Sequence, residues 1–179
     1  MNIYLIGYRC TGKTTVGALL GQRLGWSYLD ADEELVREQG RTIAEIVATR
    51  GWPFFRKLEK EVLKRIGQMD RLVIATGGGV VLDAENIALM KHSGRLIWLR
   101  AEPETIHRRL VGDNSSAEFR PALTDKNQFD EIVATLVTRI PLYEGAMDFG
   151  VDTDAIPVEQ VGQRILDWLK TDWTRTDVT

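Results

Sequence analysis

The stretch Gly7-Tyr8-Arg9-Cys10-Thr11-Gly12-Lys13-Thr14 satisfies the spacing G-x-x-x-x-G-K-S/T at every fixed position. It follows directly on the apolar run Ile3–Ile6 and opens a segment in which Val16, Leu19, Leu20 and Leu24 recur at helical spacing. Strand, loop and helix in that order are the context in which this spacing has physical meaning. The glycines let the backbone curl so that several N–H groups point inward at phosphate oxygens, and the helix adds its positive end. Lys13 supplies a cation for the β- and γ-phosphates, and the Thr14 hydroxyl is suited to a magnesium ion. With glycine near 7% of residues, the fixed positions would coincide by chance in roughly one chain in a hundred of this length, before the flanking elements are required. Nucleotide binding is the first functional expectation.

The rest of the chain alternates short apolar runs with helical periods. Strands are expected at Ile3–Ile6, Ser27–Leu29, Leu72–Ala75, Leu96–Leu99 and Phe149–Val151. Helical stripes run through Phe129, Ile132, Val133, Leu136, Val137 and Ile140, and through Val161, Ile165, Leu166 and Leu169. This rhythm predicts an α/β fold, a three-layer αβα sandwich around a five-stranded parallel sheet. With 179 residues and no internal repeat or low-complexity linker, a single domain over 1–170 is the simplest organisation, followed by a polar tail at 171–179. The breaker-rich stretch from Val111 to Pro121 interrupts the rhythm and is open to three readings: a plain loop, a disordered insertion, or a mobile lid over about 111–124.

Several function classes are disfavoured. A formal net charge of −3 gives no whole-chain case for nucleic acid, and no basic stripe with interleaved aromatics is present. No apolar run approaches the ~20 residues that span a bilayer, so no membrane partner is expected. The first residues read as a strand and not as a targeting segment, and Cys10 is the single cysteine. A cytoplasmic protein is the expectation, and a monomer.

A nucleotide site of this kind needs an acidic group for magnesium. The run Leu72–Ala75 ends in Thr76-Gly77-Gly78-Gly79, with no carboxylate, so Leu29-Asp30-Ala31-Asp32 is the candidate source. It lies at the carboxyl end of the second strand, where open sheets place their ligands. A spacing of two along extended chain would put both aspartates on one face, although Asp is also a helix cap and Glu33-Glu34-Leu35 follows. The triple glycine is either a second close backbone approach or a tight turn. Arg56 and Arg139 taken singly read as surface charges, although Arg139 flanks an apolar stripe and could enter a cleft.

Together the blocks Gly7–Thr15, Asp30-Ala31-Asp32, Phe55-Arg56 with Glu59, Thr76-Gly77-Gly78-Gly79, Arg120-Pro121, and Arg139 with Tyr143 resemble the shikimate kinase family, in order and spacing over nearly the whole chain. The resemblance implies a P-loop kinase that phosphorylates the 3-hydroxyl of shikimate with ATP and Mg2+ in aromatic amino-acid biosynthesis. It implies that Cys10, Thr11, Gly12, Lys13, Thr14 and Thr15 hold ATP, and that Thr14 and Asp30 hold magnesium. Asp32 would bind the substrate hydroxyls and act as base. Arg56, Arg139, Gly78 and Gly79 would bind shikimate, with Glu59 orienting Arg56. Arg120 would reach the phosphates from the lid, acting in catalysis with Asp32 and Lys13, and Arg108 or Arg109 would stack near adenine. The chain departs from the family pattern at Cys10, commonly glycine, and at Trp52, commonly glutamate; Pro157 lies about one residue from the usual adenine-loop proline. A kinase of another polyhydroxy acid such as gluconate, or a catalytically silent binding protein, are the alternatives.

Overall fold

Five short runs rich in Ile, Leu and Val, buried on both faces at the centre, dictate a parallel sheet, because such strands need cover on each side. The computed structural model describes residues 1–112 and 127–176. The strands are β1 (Asn2–Ile6), β2 (Ser27–Asp30), β3 (Leu72–Ala75), β4 (Gly94–Arg100) and β5 (Phe149–Asp152). They pair in the order β2-β3-β1-β4-β5, every pair parallel. Each expected strand is present; β4 is the longest because its ends continue the ladder with β1 and β5 through Gly94 and Arg100.

The helices are α1 (Lys13–Leu24), α2 (Ala31–Gln39), α3 (Ile43–Ile66), α4 (Ala84–Ser93), α5 (Pro103–Gly112), α6 (Gln128–Ala146) and α7 (Val158–Thr176). Side chains of β1 alternate between two cores, as the two-residue period requires. Ile3 and Leu5 face α1 and α7 through Val16, Leu20, Val161, Ile165 and Leu169. Tyr4 and Ile6 face α2, α3, α4 and α6 through Leu35, Leu63, Met90 and Tyr143. The helix that follows β1 packs on one face of the sheet and the helix that follows its neighbour β3 on the other, so the carboxyl end of β1 is the fork at which open sheets bind ligands.

Three details differ from the expectation. First, α3 has a break at Gly51, with φ 79° and ψ 167°, followed by Pro53. Glycine reaches that conformation at low cost and proline suits the first turn that follows. Second, α6 is rotated relative to its apolar stripe: Ile132, Leu136, Arg139 and Tyr143 are buried, whereas Val137 is 71% exposed. Third, the last helix passes 170 and runs to Thr176. Trp173 stacks on Trp26 with centroids 6.0 Å apart, and Asp172 accepts from Arg95 Nε at 2.7 Å, so this polar segment is anchored. The expected lid lies, after its first two residues, outside the described residues.

Asn2 joins β1 to the β3 end of the sheet. Fully buried, it donates from Nδ2 to Met69 O at 2.7 Å and accepts from Leu72 N at 3.1 Å. Asn2→Ala leaves both backbone groups without that partner, so a loss of about 1–3 kcal/mol is expected, read as a lower denaturant midpoint at unchanged slope.

Candidate active site

The P-loop leaves β1 under tight constraint. At Gly7, φ is 138° and a Cβ would lie 2.4 Å from the Leu99 carbonyl oxygen, so the position has no room for a side chain. Cys10 adopts a φ of 60°, the left-handed region that favours glycine, which explains physically why glycine suits this position. Gly12, with φ 95°, starts α1 without a side-chain cap, so the first N–H groups of the helix point into the loop. Thr11 Oγ1 donates to Tyr8 O at 2.8 Å. Lys13 Nζ donates to the carbonyls of Gly7 at 2.9 Å and Tyr8 at 2.7 Å, so its ammonium spans the mouth of the loop.

Two clefts share this loop as a wall. The first, about 430 Å³, is lined by residues 10–16, Asp30, Arg109, Thr153 and the start of α7. Arg109 donates to Thr153 O at 2.6 Å, Thr153 Oγ1 at 3.1 Å and Cys10 O at 3.2 Å, tying α5 to the loop after β5 and to the P-loop. Arg108 instead is exposed and donates to Thr105, so Arg109 is the arginine of this cleft. Ile156 and Val158 add an apolar flank beside Pro157, which the chain's spacing alone did not single out.

The second cleft, about 60 Å³, is lined by Tyr8, Arg9, Asp32, Ile43, Trp52, Phe55, Arg56, Glu59, Gly77, Gly78, Gly79 and Arg139. The break at Gly51 aims the second half of α3 so that Trp52, Phe55, Arg56 and Glu59 reach it. Arg56 Nη1 donates to both oxygens of Glu59 at 2.8 Å, and its guanidinium lies 5.5 Å from the Trp52 ring and 5.0 Å from Phe55. Trp52 thus packs on Arg56 through its π face, where a glutamate would have used charge. A Cβ on Gly79 would sit 2.1 Å from Arg56 Nη2. The triple glycine is therefore a close-approach site and not merely a turn.

Burial pushes the Glu59 carboxyl up to about 7, against the pull of Arg56 and with the help of neighbouring Asp32. Tyr143 is fully buried, stacks on Trp98 and donates its hydroxyl to Gly78 O. Burial pushes that hydroxyl up to about 12, with Arg139 beside it opposing. Tyr143 thus joins Arg139 to the glycine backbone, a role its sequence position did not disclose.

The aspartates require a correction. They do not share one face of extended chain, because Asp32 lies in the first turn of α2. Asp30 is the N-cap, accepting on Oδ1 from Asp32 N at 2.9 Å and Glu33 N at 3.3 Å, and it lines the first cleft. Asp32 is 6% exposed and lines the second. Helical geometry turns the two carboxylates to opposite sides of the P-loop, one for each cleft. Arg120 lies outside the described residues.

The family model described as shikimate kinase matches residues 9–170. The chain is 41% identical over 169 residues to a shikimate kinase of Moorella thermoacetica, covering 94% of each. Against a shikimate kinase of Caldicellulosiruptor saccharolyticus it is 37% identical over 165 residues, covering 92% of this chain and 93% of the relative. This chain belongs to the shikimate kinase family. Among solved structures, the shikimate kinase of Acinetobacter baumannii in complex with shikimate matches with a TM-score of 0.88 at 33% identity, over 96% of this chain and 93% of that one. The Aquifex aeolicus shikimate kinase matches with a TM-score of 0.80 at 33% identity, over 97% and 99%. The fold is thus that of the P-loop kinases of this family.

Gly79→Ala separates the two clefts experimentally. The added methyl meets the Arg56 guanidinium and must displace it. Steady-state kinetics should show the acceptor KM raised about tenfold, equivalent to about 1.4 kcal/mol, with the ATP KM unchanged.

Proposed function

We propose that this chain transfers the γ-phosphoryl group of ATP to the 3-hydroxyl of shikimate, giving shikimate 3-phosphate and ADP, as a step of aromatic amino-acid biosynthesis. The observation that carries the reading is the pairing of a phosphate cradle with a second cleft holding Arg56, Arg139 and Asp32 across the same loop. Two arginines in one small cleft suit a carboxylate, which they read by forked hydrogen bonds that lysine cannot copy. An open-chain polyhydroxy acid such as gluconate needs no such fixed pair, and Lys13 and Asp32 stand where a silent binding protein could have lost them.

Each residue then has a physical task. The N–H groups of residues 10–15 and Lys13 bind the donor phosphates; Lys13 exchanges its carbonyl partners for phosphate oxygens. Arg109 borders the adenine side. Arg56 and Arg139 hold the acceptor carboxylate, with Gly78 and Gly79 against the ring. Asp32 accepts the proton of the 3-hydroxyl as its oxygen bonds to the γ-phosphorus and the bond to the β-phosphate bridging oxygen breaks. Arg120 is assigned to the phosphates. Positioning and charge neutralisation supply most of the acceleration in such a reaction. The oxygen donors Thr14 and Asp30, on the wall of the phosphate cleft, fit magnesium, a hard cation that keeps several waters; the Asp30 cap bonds fall on Oδ1. When bound, the ion would neutralise charge on the β- and γ-phosphates. We assign the protein to the cytoplasm as a monomer. Among the described residues no helix is long and apolar enough to cross a membrane.

ADP release by the purified protein with magnesium, compared for shikimate, gluconate and no acceptor, tests the reading. Shikimate-dependent release is expected; stimulation by gluconate alone would reassign the arginine cleft. Arg139→Ala should cost about 2–4 kcal/mol in kcat/KM for shikimate, since a desolvated carboxylate loses a partner.

Glu59 generates a pH signature. Its folded pKa of about 7 lies above the ordinary 4.5, so the folded state binds more protons between the two. Its contribution to stability is complete below 4.5 and is lost as pH rises through about 7. Activity runs the other way, because ionised Glu59 is what orients Arg56. Shikimate kcat/KM should rise with pH through about 7 while thermal stability declines over the same interval, and Glu59→Gln should flatten both.

A further inference from the structure

Thr153 follows directly on the last residue of β5, is 5% exposed and stands on the wall of the phosphate cleft. Its backbone N–H and its hydroxyl both donate to the Arg100 carbonyl, at 2.8 and 2.9 Å, so the end of β4 fixes the residue twice. A β-branched side chain has few rotamers to begin with, and the hydroxyl bond selects one. The hydroxyl has a single proton, and with that proton directed at Arg100 its lone pairs remain as acceptors. They receive Arg109, whose Nη1 lies 3.1 Å from Thr153 Oγ1 while Nη2 lies 2.6 Å from the Thr153 carbonyl oxygen. One buried threonine thus offers two acceptors to the two terminal nitrogens of one guanidinium.

The guanidinium so held reaches further. Nη1 also donates to the Cys10 carbonyl at 3.2 Å, where the P-loop passes through its left-handed residue. The next residue, Asp154, accepts from Glu102 N at 3.1 and 3.2 Å and fastens the same loop close to the start of α5. Farther along, Ile156 and Val158 line the cleft together with Arg109. An arginine confined before its ligand arrives has less rotamer freedom to lose on binding. Glu59 confines Arg56 in the acceptor cleft with a carboxylate. On the donor side a neutral hydroxyl and a carbonyl confine Arg109, and that grip takes nothing from its charge.

We propose that Thr153 is a positioning residue of the donor site: its buried hydroxyl and carbonyl set the direction of the Arg109 guanidinium, and through Arg109 the affinity for the nucleotide. The inference rests on the reading of the first cleft as the nucleotide site and deepens it by naming the residue that aims its arginine. It places no demand on the acceptor cleft, whose lining does not include Thr153 or Arg109.

Calorimetric titration of ADP with magnesium into Thr153→Val, Thr153→Ser, Arg109→Met and the double variant Thr153→Val/Arg109→Met tests this, with the wild-type protein alongside. Thr153→Val keeps the volume, removes the acceptor and should raise the ADP Kd about fivefold or more, as expected when a charged donor loses one hydrogen bond. Thr153→Ser restores the hydroxyl and should return to within about twofold of wild type. The double variant should bind ADP within about twofold of Arg109→Met alone, because a residue that acts through Arg109 has nothing left to act on. In steady-state kinetics the ATP KM of Thr153→Val should rise with the Kd while the shikimate KM stays within about twofold. Thr153→Ala replaces Thr153→Val in the same comparisons should the valine variant fail to fold. An unchanged ADP Kd in Thr153→Val, a serine variant as weak as the valine one, or a double variant weakened by the product of the two single effects overturns the inference. Absence of ADP binding to the wild-type protein overturns the reading of the cleft and this inference with it, whereas normal wild-type binding with unmoved variants overturns the inference alone.

Discussion

At residue 7 the backbone leaves the central strand so close to the end of β4 that a Cβ would lie 2.4 Å from the Leu99 carbonyl oxygen. That approach presses the phosphate-binding loop onto the fork of the sheet, between strands whose connections leave on opposite faces. Everything chemical is organised around the loop so placed. Its N–H groups and Lys13 face one cleft, while Tyr8 and Arg9 form part of the wall of the other. In the proposed reaction donor and acceptor are therefore positioned by the same few residues, which holds two reactants in line.

The acceptor cleft is built from charges that are each held by a second group. Glu59 grips Arg56 with two hydrogen bonds, Gly79 lets the guanidinium lie against the backbone, and Trp52 covers it. Tyr143 links Arg139 to Gly78 from a fully buried position. Arg9 and Glu131 form the third such couple. Arginine side chains have many rotamers, and confining them before the substrate arrives reduces the ordering cost of binding. Glu59 also carries a pH sensitivity, since burial raises its carboxyl into the neutral range.

The sheet and the loop were legible in the residues because they depend on local pattern. Apolar runs of four or five residues, a glycine spacing and one helical period suffice for β1, the P-loop and α1. The clefts were legible only through several blocks taken together, because Arg56 and Arg139 are 83 positions apart and look individually like surface charges. What escaped had non-local causes. The break at Gly51 that aims Arg56 depends on a positive φ that composition does not announce. The division of Asp30 and Asp32 between two clefts depends on α2 starting between them, which turned an expected shared face into opposite ones. The partnership of Arg9 with Glu131 spans 122 positions, and no periodicity links them. The anchoring of α7 beyond 170 rests on Trp173 meeting Trp26, again a contact between distant segments.

The function proposed above is phosphoryl transfer to one hydroxyl of an acceptor held by its carboxylate. The most direct measurement is phosphorus–proton correlation NMR on the product formed from ATP and shikimate. A single phosphate ester coupled to the ring proton at carbon 3, with no phosphate at the other hydroxyls, is the expected result. Phosphate distributed over several hydroxyls, or released as inorganic phosphate with the acceptor unmodified, contradicts a cleft in which Arg56, Arg139 and Asp32 fix the acceptor beside the phosphate-binding loop.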